Sequence, residues 1–160
     1  VVSNGKHTDI ICKGIEDRKS FYTSLSSEKH ESDAPNYTSR ISGIIQRKEE
    51  SISLSRISKS DFSNLQSEYR FYRYVDIVPG YGYCLTTYMS DGTPLPHFKM
   101  DPLILPLQGN VEQIANYYWQ ELNQDNRISL AVRELTKSGE DRLKIINRNQ
   151  LKSAKIKKNK

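Results

Sequence analysis

Glu28-Lys29-His30-Glu31-Ser32-Asp33-Ala34-Pro35-Asn36-Tyr37-Thr38-Ser39-Arg40-Ile41-Ser42-Gly43 is the stretch around which this chain is organised. Pro35 fixes its own φ and disfavours helix at Ala34, so Glu28, Glu31 and Asp33 lie in a constrained loop. The residues from Arg40 to Ile45 then turn apolar and β-branched, which predicts a strand leaving that loop. Polar groups crowded at the mouth of a buried strand are a common setting for a small-molecule site. The same Asp, Asn and Ser residues are also ordinary loop formers that cap backbone groups, and composition alone favours that second reading.

Outward from this stretch, residues 51–57 alternate Ser with Ile and Leu and are predicted to pair with 40–46 across the polar turn Arg47-Lys48-Glu49-Glu50. On the N-terminal side, Thr8-Asp9 is read as an N-cap pair for a short helix carrying Ile10, Ile11, Gly14 and Ile15. Asn4, Gly5, Lys6 and His7 are then placed in the turn before it, where backbone N–H groups suit an anion. Phe21, Tyr22 and Leu25 mark a second helical piece within 17–27.

Further along, 58–67 is a polar connection, and 68–78 alternates Tyr69, Phe71 and Arg73 with Arg70, Tyr72 and Tyr74. Pro79-Gly80 is expected to turn this strand into a second long one over 81–90, giving a central hairpin. The proline-rich run from Thr93 to Phe98 is expected to close over one end of a sheet, and its His97, as a lone loop histidine, is read as neither catalytic nor a ligand. Residues 101–107 form an interrupted edge strand. Asn110 caps the clearest helix, 111–122, whose stripe of Val111, Ile114, Ala115, Tyr118, Trp119 and Leu122 is core. Strands follow at 127–135 and, after a turn at Ser138-Gly139, at 142–147; from Gln150 a lysine-rich tail is expected to fray.

The 160 residues carry 24 Lys and Arg against 19 Asp and Glu, a net charge of +5, but the average misleads. Eight of the basic residues lie from Arg142 onward, where no Asp or Glu occurs, so residues 1–141 hold 16 basic and 19 acidic side chains. A nucleic-acid surface would want its positive charge on a folded face, so partnership with nucleic acid is disfavoured. No apolar run approaches a membrane span. Cys12 and Cys84 have neither redox nor metal spacing, and no His/Cys/carboxylate set has metal-ligand spacing. A reduced, cytoplasmic setting with no membrane partner is expected. The mean hydropathy of −0.70 is low for a compact chain, and ten tyrosines offset it by burying ring area.

The motif Glu31-x-Asp33-Ala34-Pro35-Asn36-Tyr37-Thr38-x-Arg40-Ile41-Ser42-Gly43 resembles the central signature of the archaeal-type IMP cyclohydrolase family and its bacterial relatives. Three further segments resemble the same family in the same order: Val2 to Asp9, Thr87 to Pro96, and Leu122 to Arg133. Together they span the chain to about Asn149.

The resemblance implies an α+β fold, specifically a layered αββα sandwich of the Ntn-hydrolase-like type, incomplete at its N-terminus. It implies one IMP cyclohydrolase-like domain over 1–149, with 150–160 a basic tail. Family members carry several further strands before this point, so an Arg and a Tyr from that segment are also expected at the site. The activity implied is ring closure of a formamidoimidazole-carboxamide ribotide to IMP with loss of water, a step of purine biosynthesis that needs no metal or organic cofactor.

Within that reading Glu31, Asp33 and Arg40 are the candidate catalytic residues. Glu31 serves as base or proton relay, Asp33 holds its geometry or sets its pKa, and Arg40 stabilises an oxyanion or binds phosphate. Asn4, Lys6, His7, Asn36, Tyr37 and Thr38 are the candidate substrate-binding residues. A purine nucleotide is the expected partner, in a homo-oligomer. The rival readings are an RNA-binding module built on the 68–88 hairpin and the lysine tail, and a catalytically silent nucleotide-binding member of the fold.

Overall fold

The computed structural model describes residues 1–136 and 141–149. In chain order these residues form β1 (Val2–Ser3), α1 (His7–Glu16), α2 (Phe21–Leu25), β2 (Arg40–Gln46), β3 (Ser51–Lys59), β4 (Ser67–Tyr74), β5 (Tyr81–Cys84), β6 (Leu103–Pro106), α3 (Val111–Glu121), β7 (Ser129–Leu135) and β8 (Asp141–Asn147). The mixture of helices with antiparallel sheets makes the chain α+β. Two compact units are distinguishable: residues 1–79 with 83–105, and residues 80–82 with the described residues from 106 onward.

The first unit is built on a sheet in the order β1-β2-β3-β4. β2 leaves the loop at Arg40 as the sequence predicts, and pairs with β3 from Arg40↔Ile57 to Gln46↔Ser51. The turn between them is a 3-10 segment, Arg47–Glu49, closed by Glu50 at φ 45. The pairing puts Arg40, Ser42 and Ile44 on one face with Ser51, Ser53, Ser55 and Ile57. Phe71 of β4 stands opposite Ser55 on that same face.

Helices α1 and α2 cover this face, packing Ile11, Phe21 and Leu25 against Ile57, Ile44 and Phe71. Each such buried side chain contributes roughly 1.5–3 kcal/mol relative to an exposed one. The helices come close because the strands beneath them carry small residues: Ser42, Ser51, Ser53 and Ser55 are all buried. Ser42 and Ser55 hydroxyls satisfy each other across the strands at 2.5 Å. The helices also meet each other tightly, since a Cβ on Gly14 of α1 would lie 2.0 Å from the Ser24 hydroxyl of α2.

On the opposite face Arg56 is only 2% exposed. Its guanidinium donates to the carbonyls of Phe98 (2.6 Å) and Met100 (3.0 Å), which straps that segment to β3. Carbonyl dipoles thus take the place of a carboxylate for this buried cation.

In the second unit Asn110 caps α3 in a reciprocal capping box with Gln113, so the sequence signal and the structure coincide. Ala115 and Trp119 pack on Ile146 of β8, with Leu130 and Val132 of β7 against them. Arg127 lies over the Trp119 ring at 4.6 Å. Within the predicted stripe, Leu122 is exposed rather than core.

Three expectations are corrected. Thr8 and Asp9 do not cap α1: the helix begins at His7, Lys6 holds the N-cap position without a side-chain bond, and Thr8 instead donates to the Gly5 carbonyl at 3.1 Å. Residues 81–90 are not one long strand. β5 stops at Cys84 and pairs with β6, while β4 pairs with β3, so the central 68–88 hairpin does not exist. Residues 58–67 are shorter as a connection, because β3 continues to Lys59. The turn at Ser138-Gly139 and the tail from Gln150 lie outside the described residues. No described helix is long and apolar enough to cross a membrane.

Candidate active site

β1 ends beside β2, with Ser3 opposite Ser42. The next residue, Asn4, extends the ladder with its side chain. Its amide oxygen accepts from Ile41 N at 2.9 Å, and its amide nitrogen donates to Ser39 O at 2.8 Å. Gly5 follows in a place where a side chain would touch three groups, His7 most tightly. A Cβ there would come within 3.3 Å of His7 Nδ1, 3.4 Å of Arg40 Nη1 and 3.6 Å of Glu31 Oε1.

Those three groups form the centre of the site. Arg40 Nη1 is 2.8 Å from Glu31 Oε1, and its Nε donates to Lys29 O at 2.6 Å with Glu28 3.9 Å away. His7 lies behind the guanidinium and is 1% exposed. A guanidinium has no acceptor, so at the 3.4 Å contact Arg40 donates to His7 Nδ1. The His7 proton is therefore on Nε2, facing Ile41 O at 3.2 Å. Burial pushes the His7 pKa below its ordinary value, and the Arg40 charge adds to this. The hydrogen bond to the Ile41 carbonyl, second only to burial, pulls the other way, as do Glu28 and Glu31. His7 is thus a buried, neutral support for Arg40 at the first residue of α1, not part of the turn before the helix.

The loop from Glu31 to Ser39 is held by its own side chains. Glu31 N donates to Thr38 O at 2.9 Å, closing the loop at its neck. Asp33 accepts from Thr38 N at 2.7 Å and from the Thr38 hydroxyl at 2.5 Å. Its carbonyl accepts from Asn36 N and Tyr37 N, each at 3.0 Å. Desolvation raises the Asp33 pKa, but the Thr38 hydrogen bonds outweigh it and hold the carboxyl below the ordinary value. Tyr37 takes a left-handed conformation, φ 46.

A second segment is docked on this loop. Asn36 Oδ1 accepts from Leu95 N at 3.1 Å, the Tyr88 hydroxyl meets Thr38 Oγ1 at 2.5 Å, and the buried Ser39 meets His97 Nδ1 at 3.2 Å. Since Thr38 Oγ1 already donates to Asp33, Tyr88 donates to Thr38. Tyr88 and His97 face each other through an isolated bridge. Burial lowers the His97 pKa, and the Lys59 and Lys99 charges lower it further.

Of the residues singled out in the sequence, Glu31, Arg40, His7 and Asn4 thus gather around Gly5. Asp33, exposed, and Thr38 and Asn36, half-buried, use their side chains to hold the loop and its neighbour. Tyr37 remains partly open, and Lys6 is exposed at the start of α1. Sequence reading gave no role to Tyr88, and read His97 as a lone loop histidine. The signal for Tyr88 was that the Thr87 to Pro96 segment resembled the family as a block, and His97 follows directly after it. Beside Asn4 an open groove of about 320 Å³ is walled by Val2, Ile41, Leu54 and Leu85. Among the described residues no group of three or more His, Cys, Asp or Glu side chains is placed to hold a metal ion.

Among known proteins, no curated protein and no solved structure matches the chain. A family model does, the one described as IMP cyclohydrolase-like protein, over residues 1–140. That match takes in both the Glu31–Arg40 loop and the segment docked on it, and the chain therefore belongs to the IMP cyclohydrolase-like protein family.

Proposed function

We propose that this chain closes the purine ring of IMP from a formamidoimidazole-carboxamide ribotide. The observation that carries the reading is the Glu31–Arg40 pair, a carboxylate and a guanidinium 2.8 Å apart at the start of β2, steadied from behind by neutral His7. Ring closure needs both groups at one place. The carboxamide nitrogen must lose a proton as its bond to the formyl carbon forms, and the formyl oxygen gathers negative charge in the same step. That oxygen is then protonated and leaves as water with the proton of the adjoining ring N–H, so that a C=N bond remains. Glu31 takes the carboxamide proton and relays it, and Arg40 stabilises the oxyanion.

Asn4, His7, Asp33, Asn36 and Thr38 keep these two groups in register. Tyr37 and Lys6 are the groups available to the base and ribose. The chemistry requires neither metal nor organic cofactor. The same family reading favours the αββα, Ntn-hydrolase-like arrangement, cytoplasmic residence and a homo-oligomer. The test is a spectroscopic assay of IMP formation by this chain and by Glu31→Gln. Ring closure by the parent and its loss in the variant support the reading. Ring closure at the parent rate in Glu31→Gln removes the assignment.

A further inference from the structure

β4 is an edge of the sheet β1-β2-β3-β4, and its eight residues have a strand neighbour on one side only. Its ladder with β3 runs unbroken from Lys59↔Ser67 to Ile52↔Tyr74. The phase of that ladder is set just beyond the strand, where Ser60 N donates to Gln66 O at 2.8 Å. Hydrogen-bonded pairs recur at every second residue of an antiparallel ladder, so Glu68, Arg70, Tyr72 and Tyr74 turn their backbone groups toward β3. The bond from Asn4 N to Ile41 O at the opposite edge gives the same phase when carried across β2 and β3. The N–H and C=O groups of Tyr69, Phe71 and Arg73 therefore point out of the sheet edge. Among the described residues, no backbone or side-chain group bonds to them.

An open edge pairs with a further strand unless something blocks it. Proline, lysine or a bulge would do so, and β4 has none of these. The other edge, β1, is only two residues long. Beside the free groups of β4 lies a hollow of about 400 Å³, lined by Tyr22, Thr23, Ser26, Tyr69 and Phe71. Tyr22 and Tyr69 are each 39% exposed there, and Tyr22 meets the Phe71 ring edge-on at 4.8 Å. Unbonded backbone and open aromatic surface thus occur together.

Charge decides what fits this edge. Arg70 pairs with Glu68 at 2.7 Å and Arg73 with Glu49 at 2.8 Å, so the edge calls for neither an acidic nor a basic partner. It does match itself. A second β4 running antiparallel meets the first about a two-fold axis, and the register follows from the charges. Axes through Arg70 or Arg73 set an arginine against itself, and an axis through Tyr72 sets Glu68 against Asp76. An axis through Tyr69 overlaps only residues 67–71 of the strand. An axis through Phe71 opposes Phe71 to Phe71, Tyr69 to Arg73, Arg70 to Tyr72 and Glu68 to Tyr74, with no like charges facing. It also brings together the outward backbone groups of Tyr69, Phe71 and Arg73 in hydrogen-bonded pairs.

We propose that the β4 edge is a homodimer interface, where β4 of a second copy pairs antiparallel about Phe71 and joins two four-stranded sheets into one. The aromatic rings of both copies then line up between the two Tyr22 hollows, which adds apolar burial to the backbone bonds. This gives the homo-oligomer of the ring-closure reading a specific contact, but the geometry of the edge stands without that activity.

The test uses no turnover. Sedimentation equilibrium over a concentration series should show monomer passing to dimer. Amide exchange should slow at Tyr69, Phe71 and Arg73 as concentration rises, while Arg70 and Tyr72 stay protected throughout. Arg73→Pro removes an outward N–H and leaves the β3 ladder whole. By symmetry it deletes two intermolecular bonds, so the dimer should weaken at least about tenfold. Arg73→Ala also loses the Glu49 ion pair but keeps the N–H, and should stay within about threefold of the parent. A chain that is monomeric at every concentration overturns the proposal, leaving the edge to an extended peptide of another protein. A dimer whose Tyr69, Phe71 and Arg73 amides exchange freely overturns it too, as does equal weakening in the two variants. If Arg73→Pro does not fold, the exchange measurement on the parent decides. A dimer of this kind that never forms IMP would remove the ring-closure reading alone.

Discussion

Arg40 donates to Nδ1 of His7 at 3.4 Å, so the charge on a buried imidazole decides whether the guanidinium stays where Glu31 meets it. A protonated His7 would have no lone pair to offer. It would also set a second cation against Arg40, with only Glu28 and Glu31 nearby to offset it.

Acid should therefore act on stability before the carboxylates titrate. The folded-state pKa of His7 is depressed, so its neutral form contributes stability that is full above the ordinary value of 6.5. That contribution is lost as pH falls from there through the lowered value. His97 has the same sign, with burial its largest cause. Urea unfolding across this range should show stability falling with pH, less steeply in His7→Gln, and least in a chain with both histidines replaced. An unchanged slope in His7→Gln would mean that His7 is not the neutral support described.

Arg40→Lys should be nearly as damaging to ring closure as Arg40→Ala. One guanidinium serves Glu31, the Lys29 carbonyl and His7 together, and a point-charge ammonium cannot hold all three directions. Loss of a preorganised donor of this kind costs on the order of 10²–10³ in kcat. Steady-state kinetics of the two variants makes the comparison, and near-parental kcat in Arg40→Lys would refute it.

Gly5→Ala separates activity from stability. The added methyl presses on His7 Nδ1 at 3.3 Å, with Arg40 and Glu31 in ordinary contact at 3.4 and 3.6 Å, so His7 must shift, and with it the support of Arg40, which should slow ring closure by about tenfold. The backbone there is compatible with alanine, so the melting temperature should hold or rise slightly. Equal losses of both would point to a folding defect instead.

Gly14→Ala should do the reverse. Its Cβ falls 2.0 Å from the Ser24 hydroxyl and 2.7 Å from the Ser24 Cβ, so α1 and α2 must separate, at about 1–3 kcal/mol. Adding Ser24→Gly should restore much of the denaturation midpoint. No restoration would show that the strain lies elsewhere.

Asp33→Ala should loosen the loop without unfolding the sheet. Hydrogen exchange at the Thr38, Asn36 and Tyr37 amides reads this directly, because Thr38 N donates to the Asp33 carboxylate and the other two to its carbonyl. Thr38 should lose protection most. Equal loss at all three would mean that the whole loop has come away.

Much of the architecture was legible in residues close together in the chain. The β2–β3 hairpin follows from alternation over 40–46 and 51–57, and α3 from Asn110 and its apolar stripe. Both signals are local, and the elements they specify formed where those residues lie. The acidic loop was legible too, because Pro35 and a cluster of polar types mark it without reference to anything distant. Pairing and burial were not local in this sense. The turn at Pro79-Gly80 pointed to a long strand over 81–90, yet which strand pairs with which depends on surfaces far away in sequence, and β5 found β6.

Sequence alone determined that Glu31 and Arg40 share a stiffened loop and strand entrance, since nine residues and a proline limit how far apart they can be. Only the tertiary structure decided that the serine face of β3 is buried, because helices that approach closely need small side chains beneath them. It alone decided that His7 supports Arg40 from the interior, and that Lys59 stands beside Tyr37 and His30. Those neighbours come from segments more than twenty residues apart, and hydrogen bonding and burial, not spacing along the chain, bring them together.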